Sequence, residues 1–163
     1  MTPSERISID VKSEQESAKL AKLLAREMSG GISVGLSGPL GAGKTTFTRF
    51  IVQALKLKDP VSSPSYVLQH IYSDDRLTVE HWDLYRLDKL PIELVEPPNI
   101  KTIRIIEWPE KCPDLQDAID LLVEIKLKSA QVDPIELTEC RSFCLSGRLL
   151  PHLQTALKHG SCR

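Results

Sequence analysis

Charge of one sign is the first thing this sequence lacks. Across 163 residues, 21 Lys and Arg stand against 22 Asp and Glu, a formal net charge of -1, and the basic residues are scattered along the chain. A protein that grips nucleic acid alone normally presents a basic face, so any RNA in its work is expected to be held by another subunit. Long apolar runs are missing as well. None reaches the roughly 18 residues that argue a membrane span. The opening MTPSERISIDVKSEQES is polar and charged, without the apolar stretch of a secretory signal. Cysteine is sparse: Cys112, Cys140, Cys144 and Cys162 match no zinc spacing, and no His sits at ligand distance from a Cys pair. Reduced thiols and a cytoplasmic home, with no membrane attachment, are the expectation. There is no internal repeat, low-complexity tract or linker, and residues 1–163 suit a single domain with a real core.

What is present has a clear order. Ser13 is placed to cap a first helix, with Glu16 three residues on completing a capping box. Leu20, Ala21, Leu24, Ala25 and Met28 recur at helical spacing, and Gly30-Gly31 suit the helix stop. A strand over Ile32–Leu36 leads into the glycine-rich turn Gly38-Pro39-Leu40-Gly41-Ala42-Gly43. A second helix starts at Lys44, with Phe47, Phe50, Ile51, Ala54 and Leu55 inward, and Pro60 prevents its continuing. Further strands are expected at Tyr66–Ile71, Leu77–Trp82, Thr102–Ile106 and Leu121–Leu127, with one or two more in 135–145. Pro91, Pro97 and Pro98 mark a loop region, and 149–158 reads as a last helix. Helix and strand alternate early and strands dominate late. The fold class is therefore α/β, with a mixed β-sheet flanked by helices.

Gly38 to Thr45 spells G-x-x-x-x-G-K-T. Glycines let the backbone curl so that several N–H groups point at the α- and β-phosphates of a nucleotide, and the following helix aims its positive end there. Lys44 suits the β- and γ-phosphates, the Thr45 hydroxyl suits Mg²⁺, and Thr46 adds a hydroxyl beside it. By residue frequencies the bare pattern arises by chance in roughly one chain of this length in a couple of hundred. Here it also lies between an apolar strand and an amphipathic helix, as the chemistry requires, so the α/β fold expected is that of a P-loop NTPase.

Such a loop needs a carboxylate at a neighbouring strand end for the metal, and often another to orient the attacking water. Asp83 after Leu77–Trp82 and Glu107 after Ile103–Ile106 both fit, and strand ends line the ligand crevice of α/β sheets. Order and composition leave the division of roles open, so both are candidates for catalysis and for the metal. The strand before Glu107 is the more apolar, which favours Glu107 for Mg²⁺. His81 reads as a half-buried strand residue, and Trp82 and Trp108 as packing or partner-facing.

Four blocks, G-P-L-G-A-G-K-T-T-F, S-S-P-S-Y, H-W-D-L-Y-R-L and E-W-P-E, resemble in order and spacing the TsaE family of bacterial ATPases that assist threonylcarbamoyladenosine synthesis on tRNA. The resemblance runs from about Glu14 to the last helix. It implies that Gly41, Ala42, Gly43, Lys44, Thr45 and Thr46 bind ATP phosphates, that Thr45 and Glu107 hold Mg²⁺, and that Asp83 is an essential acid. It implies a switch-like loop at Ser63-Pro64-Ser65, a nucleotide contact at Glu14, and a place near the nucleotide for Trp108. Arg86 falls where a phosphate or a partner is met, and an exposed ion pair is an equal reading. The implied partner is a TsaB–TsaD complex, with tRNA touched only indirectly. The family usually has Asp where Pro39 stands and S-P-T where this chain has Ser63-Pro64-Ser65, and 91–99 matches it poorly. A small-molecule kinase with Asp83 as base, and a non-catalytic nucleotide-gated module, are the alternatives. For a kinase lid the middle segment offers only Arg86 and Arg104, one of them within a strand.

Overall fold

The computed structural model describes residues 5–128 and 140–160. Seven strands form one sheet: β1 (Arg6–Val11), β2 (Ile32–Ser37), β3 (Gln69–Ser73), β4 (Thr78–Asp83), β5 (Thr102–Glu107), β6 (Leu121–Lys128) and β7 (Cys140–Ser146). Among the described residues three helices accompany them: α1 (Glu14–Glu27), α2 (Lys44–Ala54) and α3 (Leu150–Gly160). The strand order is β1-β7-β6-β2-β5-β4-β3. The four central strands run parallel, while β3 pairs antiparallel with β4, and β7 pairs antiparallel with both β6 and β1. The sheet is thus mixed, with its parallel centre the most apolar part: all six β5 residues are buried. That is what burial on both faces demands.

Alternation sorts the side chains. Val34 and Leu36 of β2, Val79 of β4, Ile103 and Ile105 of β5 and Val123 and Ile125 of β6 join a core with α1, α2 and α3. The residues between them, Trp82 and Ile106 among them, face a second cluster with Leu84, Leu94, Cys112 and Leu115, carried by irregular segments and 3₁₀ turns. Helices cover one face and short turns the other. His81, Asp83 and Glu107 alternate with Trp82 and Ile106, so they share the helix side of the sheet.

Most of the expected elements form, and the departures have local causes. Ser13 caps α1, its hydroxyl accepting from the Glu16 N–H at 3.2 Å, but the Glu16 carboxylate reaches back to the N–H of Lys12 at 2.7 Å rather than to that of Ser13. The glycine pair does not close α1. The helix ends at Glu27 with Met28 in extended geometry. Gly30 is required because a Cβ there would stand 2.0 Å from the Ile100 carbonyl oxygen, so the pair lets two backbones cross. The strand expected from Tyr66 begins only at Gln69, because the Val67 and Leu68 N–H groups both turn back to the Pro64 carbonyl. On α2, Val52 and Thr48 are buried while Phe50, Ala54 and Leu55 only flank the core. The first strand, β1, lies in the opening segment read as merely polar. Of the expected strands in 135–145, positions 135–139 lie outside the described residues, and β7 supplies the rest.

Candidate nucleotide-binding site

The carboxyl ends of β2, β4 and β5 meet at one edge of the sheet, and β2 runs directly into the glycine-rich turn. Gly38 adopts φ +144, and a Cβ there would lie 2.3 Å from the Ile125 carbonyl oxygen of β6, so only glycine lets the turn leave the sheet at this point. Gly43, at φ +101, then stands at the N-cap of α2 with no side chain across the helix end. The first-turn N–H groups of α2 have no intrahelical partner, and no acidic residue lies in that turn to offset its positive end. The loop is built to receive an anion.

Lys44 is buried, 5% exposed. Its ammonium donates to the carbonyls of Gly38 at 2.7 Å and Pro39 at 3.0 Å, and sits 3.6 Å from the centroid of the Trp108 ring. Burial holds its pKa below the ordinary lysine value, opposed by the charges of Glu107, Glu110 and Asp83. Thr45, the next residue, donates its hydroxyl to Glu107 Oε1 at 2.8 Å. Asp83 and Glu107 are register partners on adjacent parallel strands, both 3% exposed. Asp83 accepts the Ser65 hydroxyl at Oδ2 and the Tyr85 N–H at Oδ1, 2.8 Å away. Ser63 and Ser65 hydroxyls are 2.8 Å apart.

Around these groups opens a cavity of about 280 Å³ lined by Gly41, Gly43, Lys44, Thr45, Thr46, Ser63, Ser65, Asp83, Glu107 and Trp108, with the exposed Leu40 at its rim. The sequence-selected residues therefore converge, with four exceptions. Gly38 and Ala42 shape the loop without lining the cavity. Glu14 borders a second cavity of about 450 Å³ with Arg141 and Phe143, which Gly43 and Thr46 join to the first. Arg86 is exposed, its guanidinium stacked 4.5 Å from the Tyr66 ring. The other arginine considered for a lid, Arg104, is buried in β5, bonded to Glu80 at 2.8 Å and to the Glu96 carbonyl.

A hydroxyl and two carboxylates at the mouth of a loop are all hard oxygen donors, the set that suits Mg²⁺ and not a thiophilic metal. The donor chemistry fits. Among the described residues no helix is long and apolar enough to cross a membrane.

Two residues matter more than their sequence neighbourhood suggested. His81 is fully buried rather than half-buried, with Nε2 2.7 Å from Glu107 Oε1. Arg141 of β7, not singled out from sequence, donates to the Ala42 carbonyl at 3.0 Å across 99 positions. Only strand pairing reveals either contact. His81 alternates with Asp83, a weak hint; Arg141 carries no local signal.

A family model described as threonylcarbamoyl adenosine biosynthesis protein TsaE matches residues 11–135. The chain is similar to the tRNA threonylcarbamoyladenosine biosynthesis protein TsaE of Aquifex aeolicus, 34% identical over 120 residues, 72% of this chain and 84% of that one. It is similar to the protein of the same name from a Nostoc species, 32% identical over 69% of this chain and 74% of that one. A match in Haemophilus influenzae, also so named, is 40% identical over 58% of this chain and 62% of the relative. The crystal structure of Bacillus subtilis YdiB shares the fold, with a TM-score of 0.69 at 21% identity over 99% of this chain and 97% of the other.

Proposed function

This chain belongs to the TsaE family, and on that premise we propose that it is a Mg²⁺-dependent ATPase serving threonylcarbamoyladenosine formation on tRNA by acting on a TsaB–TsaD pair. The observation that carries the reading is the contact of Thr45 with Glu107 at 2.8 Å, beside a loop shaped for phosphate and one strand away from Asp83.

In this reading the α2 N–H groups and Lys44 hold the phosphates, and Thr45 and Glu107 hold Mg²⁺. When bound, the ion neutralises charge on the phosphate oxygens. Asp83, freed from Ser65, accepts a hydrogen bond from water and aims it at the γ-phosphorus; the new P–O bond forms as the bond to the β-γ bridging oxygen breaks, giving ADP and an inorganic phosphate that carries away the water's protons. The cavity is open and wet in the isolated chain, so hydrolysis is slow until a docked partner covers Ser63, Ser65 and Asp83. Chemistry on tRNA belongs to the partner, in keeping with a chain of net charge -1.

A kinase lid finds no support. Arg104 is held by Glu80 and Arg86 by the Tyr66 ring.

The test reconstitutes threonylcarbamoyladenosine formation with TsaB and TsaD from the same host, with this chain, its Asp83→Asn or Glu107→Gln variants, or none. Multi-turnover yield is expected only with the parent, and the variants should lose turnover more than nucleotide affinity. Equal yield without the chain would overturn the reading. ATP-dependent binding with no hydrolysis would favour a nucleotide-gated module instead.

A further inference from the structure

We propose that His81 and Tyr72 are positioning residues that hold the Glu107 carboxylate and tie it to the Ser62–Ser65 loop; the proposal rests on the nucleotide site described above. His81 has no exposed surface and uses both ring nitrogens. Nε2 lies 2.7 Å from Glu107 Oε1, and Nδ1 lies 3.3 Å from the Tyr72 hydroxyl. Tyr72, 3% exposed, comes from β3, the strand beyond β4. Its hydroxyl is also 3.4 Å from the Ser62 carbonyl and 3.4 Å from His70 Nδ1, and His70 Nδ1 is 3.2 Å from the Ser62 hydroxyl. The path from Glu107 through His81 and Tyr72 therefore crosses two strands by buried and half-buried contacts and ends on the exposed Ser62.

Two features make this more than packing. Thr45 and His81 both bond the same oxygen, Oε1, so the carboxylate is pinned from two sides and Oε2 has no hydrogen bond to a described residue. A carboxylate pinned on one oxygen presents the other in a fixed direction, which is what a ligand to a hard cation needs. The second feature is where the path ends. Ser62 immediately precedes Ser63 and Ser65, and Ser65 bonds Asp83. One four-residue loop thus touches both acids: Asp83 directly, and Glu107 through Tyr72 and His81. The Tyr72 hydroxyl has one proton, while His81 Nδ1, the Ser62 carbonyl and His70 Nδ1 are all in reach of it, so holding the loop and holding the histidine compete. Moving the loop changes the support of both acids together.

The experiment measures ADP affinity by calorimetry in EDTA and in Mg²⁺, with thermal melting alongside, for the parent, His81→Leu, His81→Gln and Tyr72→Phe. Loss of an outer partner of a metal-holding carboxylate typically costs tenfold or more in metal affinity. His81→Leu is expected to cut the Mg²⁺ enhancement of ADP affinity about tenfold while affinity in EDTA stays within about twofold. His81→Gln restores a donor to Oε1 and should recover most of the loss, and Tyr72→Phe, which keeps the ring, should give a smaller loss of the same kind. In a Glu107→Gln background the His81 effect should vanish, since the two act through one oxygen. An unchanged Mg²⁺ enhancement in His81→Leu and Tyr72→Phe, or a loss equal in EDTA and Mg²⁺, overturns the proposal and leaves the nucleotide site standing. If His81→Leu does not fold, Tyr72→Phe decides the matter. A parent that binds ADP neither with nor without Mg²⁺ overturns the function reading as well.

Discussion

Replacing Lys44 by methionine keeps the buried stem and deletes the ammonium. In the free chain that ammonium has three partners: the Gly38 carbonyl, the Pro39 carbonyl and the face of Trp108. A lysine has three N–H donors, so a phosphate oxygen gains a bond mainly by displacing the indole. A hydrogen bond to a charged group contributes about 1.5–3 kcal/mol, and the cation–π contact given up is worth about 0.5–1 kcal/mol. The net is about 1–2 kcal/mol, so Lys44→Met should weaken Mg-ADP binding about 5- to 30-fold. Stability should change little, because the bonds released are part-buried ones on half-buried Gly38 and exposed Pro39, where water can replace the ammonium. Isothermal titration gives the affinity and a melting curve the stability. Indole emission provides a second readout, since nucleotide should draw the cation from Trp108 in the parent and have no cation to draw in the variant. A dissociation constant unchanged within twofold would refute the phosphate role of Lys44. A large fall in melting temperature with the same affinity loss would show instead that the ammonium holds the loop together.

Two further outcomes follow from the same structure. Burial lowers the Lys44 pKa in the free chain and a bound phosphate raises it, so at alkaline pH below the ordinary lysine value of 10.5 nucleotide binding should take up a proton; calorimetry in buffers of different ionisation heat reads this, and zero uptake in the parent speaks against it. The unfolded chain keeps that proton to higher pH than the folded one, so stability of the parent relative to Lys44→Met should rise with pH across the same window. Phe47→Ala removes a fully buried ring packed 4.8 Å from Phe143 and should cost about 3–5 kcal/mol in a urea melt, with a loss under 1 kcal/mol showing that the α2–β7 seam collapses to fill the space.

The parts of the site that were legible in the sequence are those where neighbours along the chain do the work. The loop from Gly38 to Thr45 is contiguous, and Asp83 and Glu107 each follow a visible strand. What stayed hidden is contact across strands. Nothing near His81 announces that Ile105 and Glu107 lie beside and diagonal to it, and nothing near Arg141 points to Ala42. The Ile7, Ile9, Val11 alternation of β1 was readable, but its exposed partners Arg6, Ser8 and Asp10 made the segment look like a polar lead-in. At Tyr66 to Leu68, β-forming residues lost to a turn because Pro64 offers its carbonyl to two successive amides. Gly30-Gly31 looked like a helix stop because the crossing backbone that requires Gly30 is some 70 positions away.

The peptide ladder does not stop where the strands do. Beyond them, the Trp108 N–H reaches the Leu36 carbonyl at 3.0 Å, the Leu84 N–H the Glu107 carbonyl at 3.1 Å, and the Asp83 N–H the Leu68 carbonyl at 3.0 Å. The floor under the ligand is therefore a ruler graduated in inter-strand spacings of about 4.8 Å. Glu107 stands one division from the strand that feeds the loop, and Asp83 two. Side-chain changes at the rim leave those graduations alone, because main-chain bonds set them. Strand order therefore sets the main chain at Asp83 about 10 Å from the strand that feeds the loop, twice as far as that at Glu107, and only the side chains close the remaining distance.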